Sequence, residues 1–245
     1  MKKQWKVMGY NLHAGVDRDW KKTTLHLAMD VIRGYAPDLL GAEEVLTNNN
    51  MAPDWVMHED MAKALGMNAV FGRALIRDEA VRREYGVAAF ARCPMELAGK
   101  VSLPVPEGSE PRVFTAVRIL AEKPFYFIVT HFSYEGEYEK SDEYRERAAR
   151  LVTETVRKNH WYPAILTGDL NSPQDSAVLK IFHEDWDVCN DRDPVTPSAS
   201  VDGTIQIDYI CTYPKGAFRL VDFGFINDLE ASDHKPVTAT LELAD

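Results

Sequence analysis

Polar side chains able to perform chemistry follow the apolar segments of this sequence at several separate points. The segment Trp5–Tyr10 runs into Asn11, and the segment Ala164–Thr167 runs through Gly168 into Asp169. Other strand-like segments end or begin near Glu43, Glu44, His131, Asn171, Asp208, Asp233 and His234. A rigid sheet can aim side chains at the ends of its strands into one cleft. One such placement carries little information, whereas their repetition along the chain indicates a site.

The residue types at these points favour one kind of metal chemistry. Glu44, Asp169, Asp208 and Asp233 offer hard oxygen ligands, and no cysteine accompanies them. Such a set suits Mg²⁺ or Mn²⁺ rather than zinc. Local structural roles stay open as alternatives, since Asp169 could close an Asx turn or cap a helix, and Asn11 could bond its own backbone.

Two kinds of element must position these side chains. Strands are predicted at Trp5–Tyr10, Leu39–Ala42, Asn68–Phe71, Tyr85–Ala91, Val113–Leu120, Phe125–Thr130, Ala164–Thr167, Ile207–Cys211 and Val237–Leu243. Helices are predicted around Leu25–Tyr35, around Met57–Leu65, and from about Ser141, as its N-cap, to Arg157. Strands outnumber helices and some are joined by short turns, so a mixed α/β sandwich fits better than a Rossmann sheet or a TIM barrel.

The composition bounds the class of protein. Of the 245 residues, 45% are apolar and 27% are charged, and no repeat or long linker is found, so we expect a single domain over residues 1–245. The longest apolar run, Tyr85–Ala91, is far shorter than the roughly 18 to 20 residues of a membrane span. With 28 Lys and Arg against 38 Asp and Glu, the net charge of −10 disfavours passive binding to nucleic acid.

The termini and cysteines suggest a compartment. The basic start Met1–Lys6 is not followed by the apolar stretch of a signal peptide, so we expect a cytoplasmic protein unless a leader was removed. Cys93, Cys189 and Cys211 are widely spaced, without a C-x-x-C motif, and indicate neither a disulfide framework nor a zinc site.

Six short motifs follow one another along the chain, namely Tyr10–Asn11, Gly41–Val45, Thr130–Phe132, Thr167–Asn171, Ile207–Ile210 and Ser232–Val237. In order and spacing they resemble the signatures of the endonuclease/exonuclease/phosphatase superfamily, which includes deoxyribonuclease I, inositol-polyphosphate 5-phosphatases and neutral sphingomyelinases. The resemblance covers nearly the whole chain. It implies a deoxyribonuclease I-like, four-layer α/β sandwich of two packed mixed β-sheets flanked by helices, and metal-dependent hydrolysis of a phosphate ester.

The same resemblance assigns the metal site. Glu44 would be the principal ligand, with Asn11 and Asp233 completing or supporting the coordination of Mg²⁺ or Mn²⁺. Glu43 stands where the superfamily usually has glutamine, and we expect it to be a solvated neighbour of the metal.

Catalytic roles also follow from the resemblance. Asp169 would orient or deprotonate the attacking water, and Asn171 would hold that water or a phosphoryl oxygen. His234 would face the phosphoryl group with its ring fixed by Asp208, and His131 would donate to another phosphoryl oxygen.

Two further residues are candidates for substrate binding. The segment Asn11–Gly15 resembles the start of a bacterial branch of metal-dependent hydrolases, which makes His13 a candidate. Arg112, in a segment that also resembles this branch, could clamp a phosphate through its planar guanidinium, and a salt-bridged surface arginine is the equal alternative. The interrupted basic segment Arg73–Arg83 is expected to be a solvated loop, which in function could cover the cleft.

The sequence therefore predicts a Mg²⁺- or Mn²⁺-dependent phosphoesterase. A phosphodiester in a small molecule or lipid headgroup is slightly favoured over a monoester, with in-line attack by water and no covalent intermediate. A nuclease acting on DNA or RNA is the alternative, disfavoured by the net charge and by the lack of an uninterrupted basic stripe. A catalytically dead binding module is less favoured, because the clustered charged residues are all present.

Overall fold

The computed structural model describes residues 3–134, 138–199 and 205–244. Its strands are β1 (Gln4–Asn11), β2 (Leu39–Asn49), β3 (Ala52–Val56), β4 (Asn68–Asp78), β5 (Arg83–Ala91), β6 (Met95–Leu103), β7 (Arg112–Ile119), β8 (Phe125–His131), β9 (Ala164–Asp169), β10 (Asp187–Val188), β11 (Asp208–Tyr213), β12 (Phe218–Phe225) and β13 (Val237–Leu243). Its α-helices are α1 (Leu25–Tyr35), α2 (Met57–Leu65), α3 (Tyr138–Lys158) and α4 (Ala177–Asp185). Two short 3-10 helices lie at His13–Gly15 and Cys189–Arg192.

The strands form two mixed sheets. The first sheet has the order β12-β13-β1-β2-β5-β4, with β3 paired to β2, and the second has the order β10-β11-β9-β8-β7-β6. Each sheet contains one parallel pair near its centre, β1 with β2 in the first and β8 with β9 in the second, and the other pairs are antiparallel. The carboxyl ends of parallel neighbours lie at the same edge of a sheet, so each sheet brings two polar termini together.

Alternating side chains of the strands create three apolar layers. In β1, Trp5 and Val7 face the space between the sheets, whereas Met8 and Tyr10 face α1 and α2 on the outer side of the first sheet. The outer side of the second sheet packs against α3 and α4. The order is therefore helices, sheet, sheet, helices, which confirms the predicted four-layer sandwich and explains why these strands are apolar on both faces.

Differences from the sequence expectations lie mainly at the sheet edges. The edge strands β6 and β12 were not predicted, and neither were β3, β10 and α4. Most residues of β6 and β12 are half-buried or exposed, so their mixed composition hides the strand pattern. Helix α3 begins at Tyr138, so the prediction that Ser141 caps it is wrong.

All three cysteines are free, and Cys189 and Cys211 are buried while Cys93 is partly exposed. Among the described residues, no helix combines the length and the apolarity needed to cross a membrane.

Candidate active site

The polar motifs meet where strand ends of the two sheets face each other. In the first sheet, Asn11 is the register partner of Glu43. In the second sheet, Asp169 lies between His131 on one side and Asp208 on the other. The strands that carry these residues are central and buried, so their ends are fixed by the sandwich rather than by loops alone.

A β-bulge in β2 separates the two adjacent glutamates. The register with β5 shifts between Ala42 and Val45, and Glu44 within this bulge has a left-handed backbone with φ of 56°. Bulges redirect side chains, and a non-glycine residue with positive φ is sparsely populated because its Cβ crowds the backbone. Glu44 consequently lines the cleft, whereas Glu43 is 1% exposed. The expectation that Glu43 is solvated is therefore wrong.

Glu43 is a buried acid without a hydrogen-bond partner for its Oε1 atom. Burial, followed by repulsion from Asp208 and Asp169, raises the pKa of the Glu43 carboxyl well above its usual value, against an opposing effect of His234. A protonated glutamic acid is neutral and close in size to glutamine. A protonated Glu43 would therefore resemble, in charge and in size, the glutamine that the superfamily usually has at this position.

Asp169 is the most connected carboxylate of the cleft. Its Oδ1 accepts a hydrogen bond from the backbone N–H of Asn171 at 2.8 Å, and its Oδ2 accepts one from Nδ2 of Asn11 at 3.2 Å. The same Oδ2 lies 3.5 Å from Nε2 of His131 and 3.8 Å from Nε2 of His234. Burial and the neighbouring Asp208 raise the pKa of Asp169 to about 7, despite the opposing effects of His234 and the hydrogen bonds.

The two asparagines have clear hydrogen-bonding roles. Oδ1 of Asn11 accepts from the backbone N–H of His13 at 3.0 Å, so its Nδ2 must be the atom that faces Glu44 at 3.3 Å and Asp169. Nδ2 of Asn171 donates to the carbonyl of Phe132 at 3.0 Å. Asn11 thus bonds to two carboxylates of the cleft, and Asn171 connects the segments that follow β8 and β9. The metal role of Asn11 and the substrate role of Asn171 stay predictions.

His234 and Asp208 form a buried pair. Nδ1 of His234 lies 2.9 Å from Oδ2 of Asp208, and both residues are less than a tenth exposed. Burial lowers the pKa of His234, but attraction to Asp208, Asp169 and Asp233 outweighs it and places that pKa well above the usual histidine value. This raised pKa favours the charged imidazole, in which Nδ1–H donates to Asp208 and Nε2–H faces Asp169.

His131 behaves differently from His234. Burial, with repulsion from Arg112 and His234, lowers the pKa of His131 well below its usual value, so its ring is neutral near pH 7. Its Nδ1 has no hydrogen-bond partner among the described residues. The cleft thus holds one charged and one neutral imidazole on either side of the same carboxylate oxygen.

Arg112 is buried at 3% exposure, so it is not a surface arginine. Its Nη1 lies 2.6 Å from Oε1 of Glu110 and donates to the hydroxyl of Tyr85 at 3.0 Å. Both Arg112 and Glu110 line the cleft. A guanidinium held in this way keeps its orientation, which is what bidentate phosphate recognition requires.

His13 reaches the cleft on a strained segment. His13, Ala14 and Gly15 all have positive φ, and the ring of His13 lies between the carbonyl of Val16, 3.3 Å from Nδ1, and Asp233, whose Oδ2 is 3.9 Å from Nε2. Such backbone strain is found where the surroundings hold a side chain for binding or catalysis.

These residues surround one cleft of about 390 Å³. Eight of the predicted site residues line it, namely His13, Glu44, Arg112, His131, Asp169, Asn171, Asp233 and His234. The other two do not line the cleft but bond to residues that do, Asn11 to Asp169 and Asp208 to His234. The sequence analysis did not assign a site role to five other lining residues, Trp20, Tyr85, Glu110, Tyr134 and Ile207. The basic segment Arg73–Arg83 was expected to be a solvated loop that could cover the cleft. Arg77 of this segment does line the cleft, but it lies in β4 and not in a loop.

The carboxylates and imidazole atoms are close enough together to hold a metal ion. Ligand atoms of Asp169, Asp208 and His234 all lie within 4.8 Å of one another. Nδ1 of His234 is engaged with Asp208, so Nε2 is the ring atom that is left to face the cleft, as a donor when the ring is charged or as a ligand when it is neutral. Glu44 and Asp233 line the same cleft.

Comparison with known proteins agrees with the fold. Residues 8–234 match the Endonuclease/Exonuclease/phosphatase family. A solved structure of an endonuclease/exonuclease/phosphatase from Beutenbergia cavernae has 22% identity and a TM-score of 0.80, covering 99% of this chain and 72% of its own. The mannosyl-6-phosphatase of Bacteroides thetaiotaomicron has 20% identity and a TM-score of 0.69, covering 97% and 99%.

The human Nocturnin catalytic domain, solved with a bound sulfate anion, has 16% identity and a TM-score of 0.74, covering 100% of this chain and 96% of its own. A search of curated protein sequences finds no significant match.

Proposed function

Because this chain belongs to the Endonuclease/Exonuclease/phosphatase family, whose members hydrolyse phosphate esters, we propose that it is a Mg²⁺- or Mn²⁺-dependent phosphoesterase with a single catalytic domain over residues 1–245. One observation carries the proposal. Carboxylates from both sheets converge on one cleft beside the imidazole of His234, which Asp208 holds in place. A phosphoryl transition state gathers negative charge on its oxygens, and this cleft combines donors for those oxygens with ligands for a cation.

The donor set fits a hard divalent cation. Glu44, Asp169 and Asp233 line the same cleft, while the charge of Asp208 is already offset by His234. Three carboxylates facing one small space repel one another and would also repel a phosphate, unless a cation lies among them. We propose Glu44 as the principal ligand with Asp233 beside it. Asn11 then supports the site as a hydrogen-bond donor that fixes Glu44 and Asp169.

The ion, when bound, would neutralise charge on the phosphoryl oxygens. His234 would donate Nε2–H to one of these oxygens, and His131 would donate to another. Asp169, which lies within 4 Å of both imidazoles, would orient the attacking water and take its proton. Asn171 would help to hold that water or a phosphoryl oxygen. No side chain needs to form a covalent bond with phosphorus, so attack is in line by water.

Cleft size and charge bear on the substrate. A volume of about 390 Å³ suits a small molecule or a headgroup better than a nucleic-acid duplex. Arg112 would clamp one non-reacting oxygen and His13 would contact the substrate near Asp233. The preference for a diester over a monoester, and the cytoplasmic location, stay predictions from the sequence.

The test is hydrolysis of bis-p-nitrophenyl phosphate, p-nitrophenyl phosphate and a single-stranded oligonucleotide, each with Mg²⁺ or Mn²⁺ and with EDTA. We expect turnover that EDTA abolishes and that Glu44→Gln strongly reduces. Turnover that survives EDTA, or none on a broad panel of phosphate esters, would contradict the proposal. Faster cleavage of the oligonucleotide than of both small esters would favour the nuclease instead.

A further inference from the structure

Two aromatic side chains stand exposed at the cleft that carries the proposed function. Trp20 is 50% exposed and Tyr134 is 63% exposed, and of the large exposed apolar side chains in the described residues these two line the cleft. Trp20 follows a strand of the first sheet and Tyr134 follows a strand of the second. Tryptophan and tyrosine are enriched where proteins bind ligands, because they present a large, rigid face at little entropic cost.

Trp20 is held in its position at the expense of backbone strain. Its φ is 55°, which is unusual for a bulky residue. The turn is closed by the bridge between Val16 and Thr23, and Asp17 fixes it by accepting the backbone N–H groups of Lys21 at 2.6 Å and Lys22 at 3.0 Å. A strained residue whose side chain is half exposed gains little from burial, so folding alone does not account for it.

The Trp20 ring is also placed by a neighbour within the cleft. Its centroid lies 5.3 Å from that of His13, in an edge-to-face arrangement, and His13 is itself directed toward Asp233. Part of the indole surface is therefore supported by His13, and the remainder faces the solvent of the cleft.

Tyr134 is placed beside the proposed phosphate clamp. The guanidinium carbon of Arg112 lies 5.8 Å from the centre of the Tyr134 ring. The chain leading to Tyr134 is anchored, because Phe132 N–H donates to the carbonyl of Asp169 at 2.9 Å and Arg145 donates to the carbonyl of Ser133 at 3.2 Å. The ring thus emerges next to the groups that would hold the phosphoryl oxygens.

We propose that Trp20 and Tyr134 are specificity-determining residues of this cleft and select phosphate esters whose organic part carries a ring. The proposal rests on the phosphoesterase function. With the phosphoryl group among His131, Asp169 and His234, the attached group extends toward the two aromatic faces at the rim. A nucleobase can stack on such a face and a sugar can pack its C–H face on it, whereas an acyclic chain makes less contact.

The experiment compares adenosine 5′-monophosphate, glucose 6-phosphate and glycerol 3-phosphate, each also as its methyl diester, in wild type, Trp20→Ala and Tyr134→Ala. We expect the ratio of kcat/KM for a ring-bearing ester to that for the glycerol ester to fall about 5- to 100-fold in each variant, mostly through KM. Trp20→Phe, which keeps an aromatic face, should restore most of the ratio. A loss confined to the adenosine ester identifies a base ring, and a loss confined to the glucose ester identifies a sugar ring.

The control is Tyr162→Ala, because Tyr162 is exposed but lies at the end of β9 that is remote from Asp169. It should leave the ratio unchanged, and thermal unfolding checks that all variants fold. Unchanged ratios in both Trp20→Ala and Tyr134→Ala would overturn the inference while the function stands. If the wild type hydrolyses neither these esters nor any of the broad panel, the function fails, and calorimetric binding of the same three monoesters to wild type and variants decides the inference separately.

Discussion

A hydrogen bond between His234 and Asp208 connects the two sheets of the sandwich at the cleft. Asp208 opens β11 in the second sheet, and His234 precedes β13 in the first, with 2.9 Å between Nδ1 and Oδ2. The backbone around both residues is pinned by serines. Ser198 Oγ accepts from Asp208 N–H at 3.1 Å, and Ser232 Oγ accepts from His234 N–H at 3.2 Å. The imidazole is therefore oriented before any substrate binds.

Replacing this imidazole tests its place in the reaction. We expect His234→Ala to lower kcat by on the order of 10² to 10⁴ without unfolding the protein, because the lost group stabilises charge in the transition state. Steady-state kinetics on bis-p-nitrophenyl phosphate and circular dichroism measure the two effects. His183→Ala, at a half-buried histidine of α4 that does not line the cleft, is the matched control and should keep wild-type kinetics. A near-normal rate in His234→Ala would remove it from the mechanism.

Asp169 is expected to act on the attacking water. Asp169→Asn should lower turnover by on the order of 10² to 10⁴, since an amide keeps the shape but cannot accept a proton. The folded state should persist, because an amide oxygen can still accept the N–H of Asn171. Full activity of a folded Asp169→Asn variant would assign the water to another group.

Glu43 makes stability depend on pH. The pKa of Glu43 in the folded protein lies well above its ordinary value of 4.5. Burying the neutral acid therefore has its full stability below pH 4.5, and this stability is lost as the pH rises from 4.5 toward the folded pKa. Glu43→Gln removes the acid. We expect the variant to match the stability of wild type at pH 4 and to be more stable than wild type at pH 8, measured by urea unfolding in EDTA.

Glu44→Gln serves as the comparison for Glu43→Gln. Glu44 lines the cleft, so its substitution should abolish activity, whereas Glu43→Gln should remain active.

An equal stability difference between wild type and Glu43→Gln at pH 4 and pH 8 would show that Glu43 is ionised in the folded protein.

Metal binding should stabilise the fold as well as activate it. Ligand at about 100 times its dissociation constant stabilises a protein by about 2.7 kcal/mol. We expect Mg²⁺ or Mn²⁺ to raise Tm in wild type and to have little effect on Glu44→Gln. An equal rise in both proteins would place the ion away from Glu44.

Gly168 supports Asp169 through close contact between β8 and β9. A Cβ atom at Gly168 would lie 2.5 Å from the carbonyl oxygen of Thr130. Gly168→Ala should therefore cost about 1 to 3 kcal/mol and reduce activity by displacing Asp169. Gly34→Ala in α1 is the matched control, since nothing lies within 4 Å of its added Cβ, and it should be neutral or stabilise by up to about 1 kcal/mol. Equal Tm values for the two variants would contradict this contact.

The sequence was sufficient for the central part of the fold. The buried strand β5 is a nearly continuous apolar run, and β13 alternates apolar with polar residues. Burial in the sandwich requires these patterns, so both strands can be predicted from the sequence. The edge strand β6 shows why the other strands were not predicted. Its side chains are partly exposed, so polar and small residues interrupt the pattern.

For the site, the motifs gave the residues but not their directions. The resemblance distinguished Glu44 from Glu43, but only the bulge after Ala42 shows that Glu43 is buried rather than solvated while Glu44 lines the cleft. Trp20 and Tyr134 were missed for a related reason. An isolated aromatic residue in a loop gives no sign of whether it is buried or faces a ligand.

The division of the site between two sheets limits how the protein can be dissected. Asn11 and Glu44 belong to one sheet, and His131, Asp169 and Asp208 to the other, with apolar side chains such as Val7 filling the space between the sheets. A fragment that kept either sheet intact would carry only half of the reacting groups. Catalytic activity therefore reports on the docking of the sheets face to face, and during denaturation it should vanish with that docking even if the strands themselves persist.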